Sequence, residues 1–370
     1  MKVGILTFPN SKSYGATLQM YALYKKINDL GHDAEIINYF NAYMKAEKHI
    51  RKRSGKRTLR ESVKRLIANT IHIRLEKSFR RFEKKNMNLY PTKPVVDKSC
   101  LPEIGKRYDI IICGSDQVWN PNITNNDVSY FLDFCSEKTR RVSYAPSFGI
   151  SEFSEQFGCL IRSQIAALDS LSVREKAGRD YIANEFGRDA KIVCDPTMLL
   201  DAKEWTSLEV PYPTEKNEYI LYYTVDSSNT LLKFAKELSK KTGLRLIYVG
   251  GNFVRAMKNK DKNFEYAVDI SPSQWLWLVH NARYVVTNSF HGTAFSTIFR
   301  KSLYLEYPWR AHSRIDQIVS MFGAEDPVIK EGVCEPRDLN YSEFETGLVQ
   351  LRGESMDYLK KALGDSINNG

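Results

Sequence analysis

The sequence predicts an α/β protein made of two units, each built on a parallel sheet. Three observations predict it. The chain opens with strand, loop, helix and strand in succession, which is a βαβ unit. A stretch without periodicity that holds Pro211 and Pro213 interrupts the alternation at 208–217. The same alternation then restarts and runs almost to the C-terminus. A length of 370 residues suits two cores.

The elements follow in order. Lys2 to Phe8 is a short apolar run with no cleavage site, so it reads as a first strand and not a signal peptide. A polar loop ending at Gly15 leads into a helical pattern from Ala16 to Leu30, stopped by Gly31. Ala34 to Tyr39 is a second strand. From 41 to 90 the alternation is broken by an insert. There Leu59, Val63, Leu66, Ile67, Ile71 and Leu75 recur at helical spacing, with Phe79 and Phe82 continuing the stripe. One or two basic amphipathic helices are expected. Lys45 to Lys85 carries 16 Lys and Arg against 4 Glu, a local excess of +12 in a chain of net charge +10. The basic excess therefore belongs to the insert and does not make the whole chain a polyanion binder. The insert has two readings: a solvated helical face, or a surface for anionic lipid or a phosphate-bearing acceptor. No zinc pattern or aromatic-basic RNA motif accompanies it, so no nucleic-acid partner is expected.

The sheet resumes at Tyr108 to Cys113 and ends in the polar turn Gly114-Ser115-Asp116. Asp116 has two readings, a site residue at a strand end or a side chain that caps its own turn. Arg141 to Gly149 is the next strand and turn, and includes Ser143. A helix from Glu152 to Leu168 and the strand Leu171 to Glu175 follow. Arg174 at that edge reads either as a fork for a carboxylate or phosphate, or as half of an ion pair. A helix from Ala177 to Phe186 and the strand 191–196, broken by Pro196, close a first domain over 1–207. After the linker 208–217 a second domain spans 218–345, and 341–370 forms a terminal helix and tail. In the second domain the pattern predicts strands at 219–225, 244–249, 266–270, 284–286 and 302–307. Helices are expected at 230–241, 272–281, 293–299 and about 314–322. Two α/β units on one linker imply a cleft between them.

The turn Thr287 to Gly292, between the strand Tyr284 to Val286 and the helix Thr293 to Phe299, is the strongest site candidate. Such a turn opens at the carboxyl edge of a parallel sheet, where ligands bind, and a helix N-terminus there favours anions. It holds Asn288, Ser289, His291 and Gly292. Histidine is the one side-chain type in it whose ordinary pKa lies near neutrality. Phosphate-loop, dinucleotide, zincin and nucleophile-elbow patterns are absent from the sequence. No run of 18 apolar residues spans a membrane. The six cysteines are scattered with no C-x-x-C pair, which suggests reduced thiols in a cytoplasmic protein and no metal or redox site.

Several stretches together resemble the polysaccharide pyruvyl transferase family. They are Tyr14 to Ala22, Tyr108 to Pro121, Ser143 to Gly149, Ser172 to Glu175, Cys194 to Leu199 and Val286 to Gly292, and they occur in family order. Only the basic insert and the C-terminal tail fall outside. The resemblance implies a GT-B-like pair of Rossmann-type domains with parallel sheets facing a central cleft. It implies transfer of the pyruvyl group of phosphoenolpyruvate to a sugar of a cell-surface glycan precursor, at times lipid-linked, with no cofactor and no metal. On that basis His291 is the candidate general acid and Asp116 the candidate that orients or deprotonates the acceptor hydroxyl. Arg174 is the candidate donor clamp, with Gly15, Ser143, Asn288, Ser289 and Gly292 as further binding residues. The family often shows Arg-Leu-His in the central turn, where this chain has Ser289-Phe290-His291. Arg314 or Arg310, just past the next strand, is the expected replacement for the missing cation. The expected location is the cytoplasm, with association at the inner membrane face through the basic insert. Two rival readings stand beside this one: a GT-B glycosyltransferase for nucleotide sugars, and a non-catalytic member of an envelope-polysaccharide assembly.

Overall fold

The computed structural model describes residues 1–44, 59–150, 152–214, 218–250, 264–307, 312–330 and 334–365. The chain falls into two units. The first comprises Met1–Ser54, Glu83–Leu200 and Leu348–Gly370, and the second Gly55–Phe82 and Asp201–Gly347.

The first unit is built on β1 (Lys2–Leu6), β2 (Asp33–Tyr39), β3 (Leu89–Val95), β4 (Ile110–Cys113) and β5 (Arg140–Ser143). Their order in the sheet is β3-β2-β1-β4-β5, and every pairing is parallel. A small parallel pair, β6 (Ser172–Val173) and β7 (Lys191–Ile192), extends this unit. The second unit holds β8 (Tyr219–Thr224), β9 (Arg245–Gly250), β10 (Phe264–Tyr266), β11 (Tyr284–Thr287) and β12 (Ser302–Leu305). Their order, β10-β9-β8-β11-β12, repeats that of the first sheet and is again all parallel. Parallel strands are covered by helices on both faces, so their sequences run apolar without alternation. The four residues of β4 and the four of β11 are all buried accordingly.

In each sheet the chain leaves the first strand to one side and later crosses to the other. The switch points lie between β1 and β4, and between β8 and β11. Ligands of open α/β sheets bind outside the carboxyl ends of strands at such points. The turn Thr287 to Gly292 leaves β11 at the second of them.

Three expectations about organisation change. First, the boundary falls at Leu200–Asp201 rather than at 207, because the helix Ala202–Thr206 belongs to the second unit. Its Trp205 is fully buried, edge-on to Phe295 at 4.9 Å. Second, the part of the basic insert from residue 59 onward is the helix Leu59–Asn86, and residues up to Phe82 group with the second unit instead of the first. Residues 45–58 of the insert lie outside the described residues. Third, the terminal helix Ser342–Leu363 returns to the first unit from Leu348 onward. Three contacts hold it there. Tyr358 OH donates to Ser143 O at 2.7 Å, the Cys194 amide donates to Ser355 Oγ at 2.9 Å, and Arg352 Nε donates to Met198 O at 2.7 Å.

β3 was not expected, since Pro91 and Pro94 interrupt its pattern. Its position at the sheet edge explains the tolerance, because an edge strand has one side on which no ladder donor is needed. Among the described residues no helix is long and apolar enough to cross a membrane. No group of three or more His, Cys, Asp or Glu is placed there to hold a metal ion.

The cysteines are all free. Cys113, Cys135, Cys194 and Cys334 are buried, and burial pushes their thiols up, Cys194 and Cys334 to about 11. Thiolate is the reactive form. Titration of the native chain with a maleimide should therefore label exposed Cys100 and Cys159 quickly and the other four only after denaturation. Rapid labelling of Cys113 or Cys194 in the native state would contradict this burial.

Candidate active site

At the carboxyl edge of the first sheet the strand ends share a buried polar network. Ser115, just past β4, donates from Oγ to Asp195 Oδ2 at 3.0 Å. The same oxygen accepts from Arg174 Nη1 at 2.7 Å. The other, Oδ1, accepts from the Thr197 amide and hydroxyl at 3.0 and 2.8 Å. Glu175 accepts from Ser147 Oγ at 2.9 Å and the Phe148 amide at 3.1 Å, and its Oε2 lies 3.8 Å from Arg174 Nε. Arg174 and Asp195 are each 1% exposed and Glu175 2%. Burial by itself lowers the guanidinium pKa, but Asp195, Glu175 and Asp116 outweigh it and the net shift is upward.

This placement revises the reading of Arg174 as a donor clamp. A guanidinium enclosed between two buried carboxylates is the ion-pair partner the sequence allowed as its second reading. Its contribution is to lock the ends of β4, β5 and β6 together. Ser143 is likewise enclosed. Its hydroxyl donates to Ser172 O and accepts from the Ser172 amide, both at 2.9 Å, and it is fully buried. Ser143 thus braces β5 against β6 and presents nothing to a ligand. Gly15 stands inside the first turn of the helix Tyr14–Asp29, whose cap is Ser13, so it is not in the preceding loop. Asp116 remains half-exposed at the edge. Its backbone is left-handed, with φ of 75°, and Oδ1 accepts from the Gln117 amide at 2.8 Å. Ala145, past the neighbouring β5, is left-handed too, with φ of 51°. Two such non-glycine residues at adjacent strand ends are costly and recur at functional edges.

In the second unit, β11 delivers the central turn. The helix begins at Phe290, three residues before its expected start, because Ser289 caps it: Ser289 Oγ accepts from the Gly292 amide at 3.3 Å. His291 therefore sits in the first helical turn rather than in the loop, 8% exposed, with its ring edge-on to Phe290 at 5.0 Å. All nine residues of the helix Phe290–Ile298 are buried. Its hydroxyl side chains bond to the helix's own backbone, as in Thr293 Oγ1 to Ser289 O at 3.0 Å and Ser296 Oγ to Gly292 O at 2.7 Å. Asn288 is a brace: Nδ2 donates to Asp226 O at 2.9 Å, and Oδ1 accepts from the Val225 amide at 3.1 Å. It ties the end of β8 to the end of β11 across the switch point. Thr287, which the sequence did not single out, receives the Ser289 amide on Oγ1 at 3.0 Å.

Gly292 is required by close approach. A Cβ there would lie 2.4 Å from Thr287 Oγ1 and 2.9 Å from Tyr223 Cδ1. Tyr223 is held edge-on by Trp275 at 5.2 Å and has little room to retreat. Gly292→Ala should therefore destabilise the chain by about 1–3 kcal/mol, although alanine is normally the better helix former. Chemical denaturation of the two proteins checks the sign.

Arg314 lies in the first turn of the helix His312–Ser320 and is half-buried. Arg310 lies outside the described residues. A separate cavity of about 520 Å³ opens at the opposite, amino-terminal ends of β8, β11 and β12. His280, Arg283, Arg300 and Lys301 line it together with Glu218 and Asp338. The Lys301 ammonium there is held below its ordinary pKa by burial and by Arg283.

Two parallel sheets that repeat one strand order define a GT-B-like fold of the α/β class. Solved structures agree on the fold. The S. aureus MnaA–UDP co-structure is similar over 99% of this chain and 92% of its own, at 11% identity and a TM-score of 0.52. The Methanocaldococcus jannaschii UDP-GlcNAc 2-epimerase in complex with UDP-GlcNAc and UDP is similar over 98% and 99%, at 13% identity and a TM-score of 0.50. Among curated proteins nothing matches. The family model for polysaccharide pyruvyl transferase matches residues 14–304, and the chain belongs to that family.

Proposed function

We propose that this chain moves the pyruvyl skeleton of phosphoenolpyruvate onto two hydroxyls of a sugar in a polysaccharide precursor. Family membership supports the reaction class, and the position of His291 is the observation that carries the mechanism. His291 stands on the first turn of a helix at the switch-point end of β11, where a proton donor and the anion-favouring end of a helix coincide.

The chemistry balances without a redox partner. His291 protonates the methylene carbon of phosphoenolpyruvate, which leaves an oxocarbenium-like centre at the next carbon. A sugar hydroxyl adds there and loses its proton. Phosphate departs with the C–O bonding pair and leaves a second oxocarbenium-like centre, and a second hydroxyl adds there and gives its proton to the released phosphate, which closes the ketal. Asp116, half-exposed at its strand end, is the proposed acceptor for the hydroxyl proton. With Arg174 enclosed, the donor's charge is assigned to the helix end and to Arg314 or Arg310.

Incubation with phosphoenolpyruvate and candidate saccharides, followed by phosphate release and mass spectrometry, tests the reaction. Gain of one ketal-linked pyruvyl group is expected. Calorimetric titration of phosphoenolpyruvate into Arg314→Ala and Arg310→Ala tests the cations. Unchanged affinity in both would remove them from the donor site. Two of the similar folds were solved with UDP, so a UDP-sugar arm belongs in the same assay. Turnover of UDP-sugar with none of phosphoenolpyruvate would favour glycosyl transfer.

A further inference from the structure

We infer that the first unit carries a binding site for an uncharged saccharide, in a cavity of about 410 Å³ beside the loops that follow β4 and β5. Tyr43, Asn122, Asn125, Asn126, Glu152 and Phe153 line it. The volume falls within the range of about 300–1,000 Å³ usual for small-molecule sites.

The lining decides the ligand class. Three asparagine amides and one carboxylate offer both donors and acceptors, and sugar hydroxyls need both. Tyr43 and Phe153 add aromatic surface of the kind that packs on the C–H face of a pyranose. Among the described residues no Lys, Arg or His lines the cavity. The one formally charged side chain among the described lining residues is Glu152, which repels a phosphate or carboxylate and accepts from a sugar hydroxyl. The cavity at the amino ends of β8, β11 and β12, with four basic side chains, shows how differently this chain lines a charged pocket.

The walls are also fixed. Phe153 stacks on Tyr181 with ring centres 3.6 Å apart and planes 9° from parallel, and Phe148 meets it edge-on at 5.1 Å. Asn125 and Asn126 are both left-handed, with φ of 53° and 60°. Asn125 is the left-handed cap that ends the short helix Pro121–Thr124, and asparagine adopts that conformation more readily than most residues. Asn41 Nδ2 donates to Thr124 O at 2.8 Å and its Oδ1 accepts from the Met44 amide at 2.9 Å, which anchors the segment bearing Tyr43 to the asparagine turn. A preformed site spends less of its binding energy on ordering.

We assign the saccharide to the acceptor. That assignment rests on the pyruvyl-transfer reading, whereas the presence of a sugar site does not. The test is saturation-transfer NMR on the full chain, without donor, using lactose, maltose, cellobiose and N,N′-diacetylchitobiose as probes. At least one should bind the parent protein. Asn126→Gly removes one amide yet tolerates the φ of 60°. Combined with Asn122→Ala it should weaken binding about tenfold, the loss of two modest hydrogen bonds. Arg300→Ala, in the basic cavity, should leave binding unchanged. The inference is overturned if no neutral disaccharide binds, if the double variant binds as well as the parent, or if UDP or inorganic phosphate displaces the sugar. Phosphate release from phosphoenolpyruvate is measured separately on the parent protein. Failure there with sugar binding intact would sink the pyruvyl reading and leave this site standing.

Discussion

His291→Gln is expected to lower phosphoenolpyruvate-dependent phosphate release by about 10²–10⁴-fold, the usual contribution of a positioned general acid. The reasoning begins with the helix Phe290–Ile298. Ser289 fixes its first turn, Gly292 lets it pack against Thr287 and Tyr223, and the buried helix allows no sliding. His291 is thus presented at one position on the edge of the sheet. Gln keeps a polar side chain of similar reach but cannot exchange a proton near neutral pH. The loss should appear in kcat, with the thermal midpoint close to that of the parent protein, because the cap and the close approach remain. A variant that releases phosphate as fast as the parent would reassign the proton donor. Ser289→Ala supplies a structural control: removal of the cap costs about 0.5–2 kcal/mol of stability and leaves the imidazole in place.

The architecture was legible in the sequence because a parallel sheet leaves a plain mark. The strands β1, β4, β8 and β11 are unbroken apolar runs that end in small polar turns, and the intervening helices carry amphipathic stripes. The helix Pro272–Asn281 was legible to the residue because Pro272 marks its start, and the structure adds a capping box of Ser271 and Gln274 there. The central helix was read three residues short, since Phe290-His-Gly292 looks like loop until the Ser289 cap is seen. β3 was invisible because its two prolines contradict every strand pattern except an edge. What the sequence could not show was long-range pairing. Nothing local states that Tyr358 reaches Ser143, so the sequence leaves the terminal helix and tail as a segment of their own. Nothing local states that Asp195 lies beneath Arg174, so a structural guanidinium read as a ligand fork. The motif stretch Tyr108 to Pro121 has a mixed character for the same reason. Its Trp119 is wholly buried, stacked on Phe131 at 4.8 Å and donating from Nε1 to Tyr130 O at 2.9 Å. Part of that motif holds the loop in place, while Asp116 and Gln117 at the strand end are only half-buried.

Arg174→Met is expected to be the most destabilising single change in the first unit, at about 3–5 kcal/mol. Methionine fills much of the same space, so the effect isolates charge from packing. Without the guanidinium, Asp195 and Glu175 would remain together, almost wholly buried, with only neutral donors between them. Two uncompensated carboxylates cannot both stay ionised in such surroundings. Acidification would then relieve the variant, because protonating either acid removes the repulsion. Its stability relative to the parent should improve as pH falls through the carboxylate range, opposite to the trend for an exposed ion pair. The double variant Arg174→Met with Asp195→Asn should regain part of the loss, since one charge is removed and Asn can still accept from Thr197. Denaturant titrations of the four proteins of this cycle give the coupling directly. A single variant as stable as the parent would mean that the network is not what joins β4, β5 and β6. It would also reopen the reading of Arg174 as a residue held for a ligand.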